Sequence, residues 1–151
     1  MAYRIVSITL RKKKNIMENV QELENKLQNL LGQEFISLTF RKKIREKDFQ
    51  REIYYIIGND YEAEVGIKKS NGEVYSLSET DIVFINSSLT MLIDFIDAFS
   101  RKIDFYEEYN EVKRQTDTKE LSNQFESIDK NAMKEGAWWR FILEQTEDGI
   151  L

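Results

Sequence analysis

Histidine and cysteine are both absent from this 151-residue chain. Without imidazole there is no Ser-His-Asp triad, no histidine general base and no histidine-ligated transition metal. Without thiols there is no disulfide, no thiolate nucleophile and no cysteine-based zinc site. Any catalysis is left to carboxylates, lysines and tyrosines. Long apolar runs are also missing: the hydrophobic stretches are short and interrupted by charge. The start, Met1-Ala2-Tyr3-Arg4-Ile5-Val6, lacks the basic region and apolar core of a signal peptide. The expectation is a cytoplasmic protein with no membrane partner and no cofactor.

What is present suits a folded chain. Hydrophobic residues make up 41% and charged residues 32%, a balance that fits neither a disordered nor a membrane-embedded protein. This length suits one domain, residues 1–151, that buries roughly two-thirds of the surface its unfolded form exposes. The net charge of −5 conceals a split: residues 1–51 hold 12 Lys and Arg against 6 Asp and Glu, and residues 52–151 hold 10 against 21. The acidic residues interleave with helix-period hydrophobics, so they decorate folded helices and do not form a tail.

Residues Tyr3 to Leu10 alternate loosely, as an edge strand would. Asn15 is a candidate cap for a helix whose apolar stripe is Ile16, Val20, Leu23, Leu27, Leu30 and Leu31, with Gly32 as its stop. Glu34 to Phe40 reads as a strand, and Arg41 to Arg51 as either a hairpin extension or a loop. Ile53 to Ile57 is a strand ending at Gly58-Asn59-Asp60, and Tyr61 to Lys68 a second. Asn71-Gly72 predicts a type I′ turn into Glu73 to Leu77, because both residues tolerate positive φ. The β-rich run Ile82-Val83-Phe84-Ile85 leads into Asn86, Ser87 and Ser88, any of which can cap the next helix. That helix runs from Leu89 to about Tyr109, with Leu92, Ile96, Phe99, Ile103 and Tyr106 on one face. Lys113 to Lys119 reads as a loop. Leu121, Phe125, Ile128, Ala132, Trp139 and Ile142 or Leu143 can share a later helix face, with a possible break at Gly136.

Several residue groups invite function, each against a plainer reading. Asp60, Glu62 and Glu64 alternate along an expected strand and could gather Mg²⁺, although a solvated strand face explains them more simply. Glu64 stands four positions from Lys68, where a carboxylate-and-lysine nuclease wants Glu-x-Lys. Tyr54, Tyr55 and Tyr61 are either a binding wall or cross-strand packing. Trp138 and Trp139 point about 100° apart on a helix, so one can face an interface or both can cover a core edge. Arg11 to Lys14 and Arg41 to Arg45 suggest phosphate contact, but the acidic balance and the lack of interleaved aromatics argue for no nucleic-acid partner. Asp94, Asp97, Asp104, Glu107, Glu108 and Glu111 are either the wet side of a helix or a surface that steers a basic partner.

Ile57-Gly58-Asn59-Asp60, Val65-Gly66-Ile67, Asn71-Gly72-Glu73-Val74-Tyr75 and Phe84-Ile85-Asn86-Ser87-Ser88-Leu89 together resemble the core of the SUKH superfamily, most closely its fourth subfamily of bacterial immunity proteins. The resemblance is best over residues 50–100, where Gly58, Asn71, Gly72, Asn86, Ser87 and Ser88 carry the motif. Trp138-Trp139 and Gly149-Ile150-Leu151 are compatible with the family's C-terminal segment, whereas this proline-free chain lacks the Leu-Pro step many members carry after their first helix.

What the resemblance implies is an α+β fold, with a mostly antiparallel central sheet of about five strands flanked by about three helices. It also implies a non-enzymatic protein that neutralises a cognate toxin, often nuclease-type, by stoichiometric occlusion; an exposed Trp or an unpaired edge strand would permit a homodimer as well as a monomer. The expected partner-binding residues are Tyr61, Glu62, Glu64, Asp104, Glu107, Glu108 and Glu111, facing a basic toxin. The alternative is a regulatory or scaffold domain without a toxin partner. A carboxylate-dependent hydrolase is disfavoured.

Overall fold

The computed structural model describes residues 19–103 and 110–151. Six strands, β1 (Glu34–Phe35), β2 (Leu38–Phe49), β3 (Glu52–Asp60), β4 (Ala63–Lys68), β5 (Val74–Leu77) and β6 (Ile82–Asn86), form one antiparallel sheet in the order of the chain. Around it lie α1 (Val20–Leu27), α2 (Leu89–Lys102), α3 (Glu111–Ile128), a 3-10 turn (Lys130–Met133) and α4 (Trp138–Glu147). The α+β class holds, with six strands and four helices among the described residues where about five and three were expected.

Strand alternation divides the sheet into two unlike faces. Tyr55, Ile57, Val65 and Ile67 point to the side carrying the helices and join Leu92, Phe95, Phe99, Leu121 and Phe125 in one core. Trp139 sits at its centre, fully buried. Its ring centroid lies 5.4 Å from that of Phe95 and 5.1 Å from that of Phe125, and Phe95 and Phe125 stack on each other at 3.8 Å. The opposite face is closed by strand residues: Tyr54, Ile56 and Leu77, with Phe49 and Tyr75 packed against them. Tyr54 meets Phe49 and Tyr75 edge-on. Tyr54 and Tyr55 are therefore on opposite faces, and Tyr61 is in a turn, so the three tyrosines form no cluster.

Several boundaries differ from the sequence-based expectation. The first described helix is capped by Asn19, whose side chain accepts from the Glu22 amide at 2.9 Å; Asn15, Ile16 and the expected strand Tyr3 to Leu10 lie outside the described residues. The helix ends at Leu27, capped by Gln28, short of the expected stop at Gly32, which instead turns the following loop at φ +75° and donates to the Phe40 carbonyl. Arg41 to Arg51 resolves into a hairpin, since β2 continues to Phe49 and pairs with Glu52. α2 ends at Lys102, because Ile103 is extended; Tyr106 lies outside the described residues. Lys113 to Lys119 is helical, a correction to the expected loop. Asn110 supplies a polar N-cap through two backbone N–H groups, and Thr116 and Thr118 turn their hydroxyls onto helix carbonyls. The chain breaks twice here, at Asp129 where α3 ends and at the expected Gly136, which turns at φ +84° just ahead of α4.

The turns invert the expected chemistry. At Asn71-Gly72 only Gly72 has positive φ, +77°, so the turn is not type I′; the Asn71 side chain instead accepts from the Glu73 amide. Both central residues of a two-residue hairpin are left-handed at Gln50 and Arg51, φ +50° and +68°. Ile36 and Tyr61 also sit at positive φ, +53° and +50°. For a β-branched residue such as Ile36 this is a true outlier. Gly58 answers a different need: a Cβ there would lie 2.0 Å from the Thr39 carbonyl oxygen.

Candidate partner-binding surface

The motif at the strand-to-helix junction is structural. Ser88 caps α2, its hydroxyl accepting from the Met91 amide at 3.2 Å. Asn86 and Ser87 turn instead to Asp129, a buried carboxylate at the end of α3. Asp129 accepts from Asn86 Nδ2 at 3.1 Å, from the Ser87 amide at 2.8 Å and from Ser87 Oγ at 2.7 Å. A carboxylate buried this way is tolerable because it is hydrogen-bonded on both oxygens. Trp139 completes the set by donating to Asn86 Oδ1.

Asp60, Glu62 and Glu64 do not converge. Asp60 ends β3, Glu62 lies in the following turn and Glu64 is in β4. Asp60 accepts from Ser37 Oγ at 2.6 Å, Ser76 Oγ at 3.2 Å and the Trp138 indole at 3.2 Å. Glu64 alternates with core-facing Val65 and so projects from the other face, among Arg41, Arg45 and Lys47 of β2. Burial alone would raise its carboxyl, but the Lys47 hydrogen bond and the charges of Lys47, Arg45 and Arg41 hold it below the ordinary value. No group of three or more acidic residues among the described ones is placed to hold a metal ion.

The turns at Ile36-Ser37 and Tyr61-Glu62 meet, the Tyr61 amide donating to the Ser37 carbonyl at 3.2 Å. Beside them runs α4, and between them opens a cleft of about 560 Å³ lined by Ile36, Tyr61, Trp138, Arg140, Phe141 and Leu151 among others. Tyr61 is 83% exposed and Phe141 56% exposed. The two tryptophans are both buried, so the exposed aromatic of α4 is Phe141, a residue the sequence reading passed over. Its signal was the run Trp138-Trp139-Arg140-Phe141, which at about 100° per residue must spread beyond any narrow core stripe. Asp60, Glu135 and Glu144 line the cleft, and Glu62 follows Tyr61 in the chain. Among the described residues of the lining Arg140 is the one basic side chain, paired with Glu144 at 3.3 Å.

Of the expected partner-binding residues, Tyr61 lines this cleft and Glu62 follows it in the turn. Glu64 faces the other side of the sheet, tied to cations. Glu111 opens α3, one turn before Arg114, which reaches the Glu147 carbonyl at the end of α4. Asp104, Glu107 and Glu108 lie outside the described residues. Among those described, no helix is long and apolar enough to cross a membrane.

Comparison with known proteins gives one finding. A family model described as SUKH-4 immunity protein matches residues 29–145, from the start of the β1 approach to the last turn of α4. Neither the curated proteins nor the solved structures give a match.

Proposed function

The chain belongs to the SUKH-4 immunity protein family, and from that premise we propose that it neutralises a toxin domain by stoichiometric binding, without turnover. The family match carries this reading, and the cleft beside Tyr61 supports it. Tyr, Trp and Arg are the residue types that dominate binding energy at protein interfaces, and Tyr61, Trp138 and Arg140 meet there with Phe141. Ile36 and Tyr61 are held in a costly backbone conformation at that spot. Strain of about 1–3 kcal/mol persists only where the surroundings over-determine it, and it clusters at functional sites.

The partner we propose is a basic toxin surface that inserts an apolar side chain into the cleft. Glu62, Glu135 and Glu144 complement its charge at the rim. Glu111, with Asp104, Glu107 and Glu108, would steer its approach. A toxin that acts on nucleic acid carries such a basic surface for its own substrate, so the inhibitor would cover the catalytic or substrate-binding face. The protein would act in the compartment where the toxin is made, the cytoplasm.

The test is growth rescue. Each toxin domain encoded beside this gene is expressed in a sensitive host with and without the protein, and the purified pair is titrated for toxin activity. Full inhibition at one equivalent establishes the reading. Toxicity undiminished by excess protein, for every such domain, leaves a regulatory or scaffold role in its place.

A further inference from the structure

We propose that the free edge of β6 receives an extended, basic segment of the toxin as an added strand, beside the Tyr61 cleft. The proposal rests on the immunity reading and adds how the partner docks.

Hairpin geometry fixes which backbone groups are free. The Ser78 amide donates to the Asp81 carbonyl at 2.9 Å, so these two residues are a hydrogen-bonded pair where the turn between β5 and β6 closes. In an antiparallel ladder such pairs alternate with pairs whose N–H and C=O point outward. The register runs Leu77 to Ile82, Ser76 to Val83 and Tyr75 to Phe84. Val83 therefore bonds to β5, while the main-chain groups of Ile82 and Phe84 point away from it. β6 ends the sheet, and among the described residues no turn or side-chain hydrogen bond reaches Ile82 or Phe84 from the open side. Ile82 is exposed and Phe84 half-buried.

The two edges of the sheet are built differently. Beyond the two-residue β1, β2 carries Arg41, Lys42, Lys43, Arg45 and Lys47, and its register shifts between Phe40 and Arg45. Charge and irregularity of this kind keep an edge from pairing with another chain. β6 is Ile-Val-Phe-Ile-Asn, without charge or proline, and its ladder is regular from Ile82 to Phe84.

The surroundings select the occupant. From Ser70 to Ser100 the chain has five acidic residues, Glu73, Glu79, Asp81, Asp94 and Asp97, and no lysine or arginine. Glu79 and Asp81 are exposed in the turn that opens β6. A cationic segment is attracted there and an acidic one repelled. Val83, between the two outward-facing residues, lines the Tyr61 cleft. A strand added to β6 thus runs along the cleft: main-chain hydrogen bonds hold it, and one of its alternate side chains enters the cleft.

The probe is the toxin domain that the protein inhibits at one equivalent. The readout is amide hydrogen exchange of the isotopically labelled full chain by NMR, free and in the complex. The Ile82 and Phe84 amides are expected to exchange readily in the free protein and at least about tenfold more slowly in the complex, with the Val83 amide slow in both. Ile82→Pro removes an outward N–H at the first residue of an edge strand, where proline is tolerated, and is expected to weaken the complex about tenfold. Ile82→Ala keeps that N–H and is expected to lose less. Complete inhibition with unchanged exchange at both amides, or with Ile82→Pro bound as tightly as the parent, overturns strand addition and leaves immunity intact. Protection of the two amides that grows with the concentration of the free protein gives the edge to a second copy and also overturns it. If no toxin domain is inhibited, the immunity reading itself has failed and this docking mode falls with it. Where Ile82→Pro does not fold, exchange in the parent complex decides.

Discussion

The indole N–H of Trp139 donates to the side-chain carbonyl of Asn86 at 2.7 Å, across 53 residues of sequence. The amide end of the same side chain donates to Asp129 at 3.1 Å. One asparagine thus links the last helix, the last strand and the end of α3, with no exposed surface of its own. The Asn-Ser-Ser pattern at the junction is a lock of the fold, and its partner Asp129 lies 42 or 43 residues beyond it.

Removing the carboxylate should expose the cost of that lock. Asp129→Ala leaves the Asn86 amide, the Ser87 amide and the Ser87 hydroxyl without their acceptor, and the expected loss is about 3–5 kcal/mol in urea unfolding. Asp129→Asn keeps one acceptor oxygen and should lose less. A change below about 1 kcal/mol for Asp129→Ala would show that water or a rearrangement replaces the network.

Acid should weaken the outer face through Glu64. Its carboxyl is depressed in the fold by Lys47, Arg45 and Arg41 against the opposing effect of burial. Its contribution is therefore complete above the unfolded value of 4.5 and is lost as pH falls through the lower folded value. Glu64→Gln should be less stable than the parent at neutral pH, with the difference shrinking as pH falls below that window. Parallel stability curves down to the acid limit would remove Glu64 from the account.

The β2–β3 hairpin carries avoidable strain. Gln50 and Arg51 both occupy left-handed backbone where Asn-Gly is the favoured pair. Replacing them by Gln50→Asn and Arg51→Gly should raise stability by about 0.5–1 kcal/mol, the relief of strain exceeding the added unfolded-state entropy of glycine. The Asp48 carboxylate, which accepts from the Arg51 amide at 3.2 Å, remains available. A lower midpoint in denaturant would mean the Arg51 side chain contributes more than its backbone costs.

At the cleft, stability and binding should move apart. Tyr61→Asn suits positive φ better and should leave stability equal or up to about 1 kcal/mol higher. Phe141→Ala, at an exposed position, should stay within about 0.5 kcal/mol of the parent. Each should nevertheless weaken the toxin complex by about 2 kcal/mol or more, roughly thirtyfold, if it anchors the interface. Calorimetry on the purified pair decides this. Undiminished affinity in both variants places the toxin elsewhere while leaving immunity itself intact.

Much of the scaffold was legible before folding. β-rich runs bounded by turn residues placed β3 to β6 to within about three residues, and the polar run Asn86-Ser87-Ser88 marked the start of α2, because caps and strand preference are local. Lys113 to Lys119 misled, since a polar helix without an apolar stripe there is held by its cap and by the packing of Thr118, Leu121 and Phe125 further along. The turns misled in the other direction: Asn71-Gly72 carried the right residues for a turn type it does not adopt, while Ile36, Gln50, Arg51 and Tyr61 are left-handed against their preference.

The sequence alone determined which segments are apolar on one side, where α2 begins and that no histidine or cysteine chemistry is available, because composition and period act over a few residues. Tertiary structure decided that Asp129 satisfies Asn86 and Ser87, that Glu64 leaves the company of Asp60, and that Tyr61 meets α4 across a cleft. Those outcomes depend on sheet register and on which buried donor finds which acceptor. A single strand or helix does not contain that information: a shift of one residue in pairing sends every side chain to the other face.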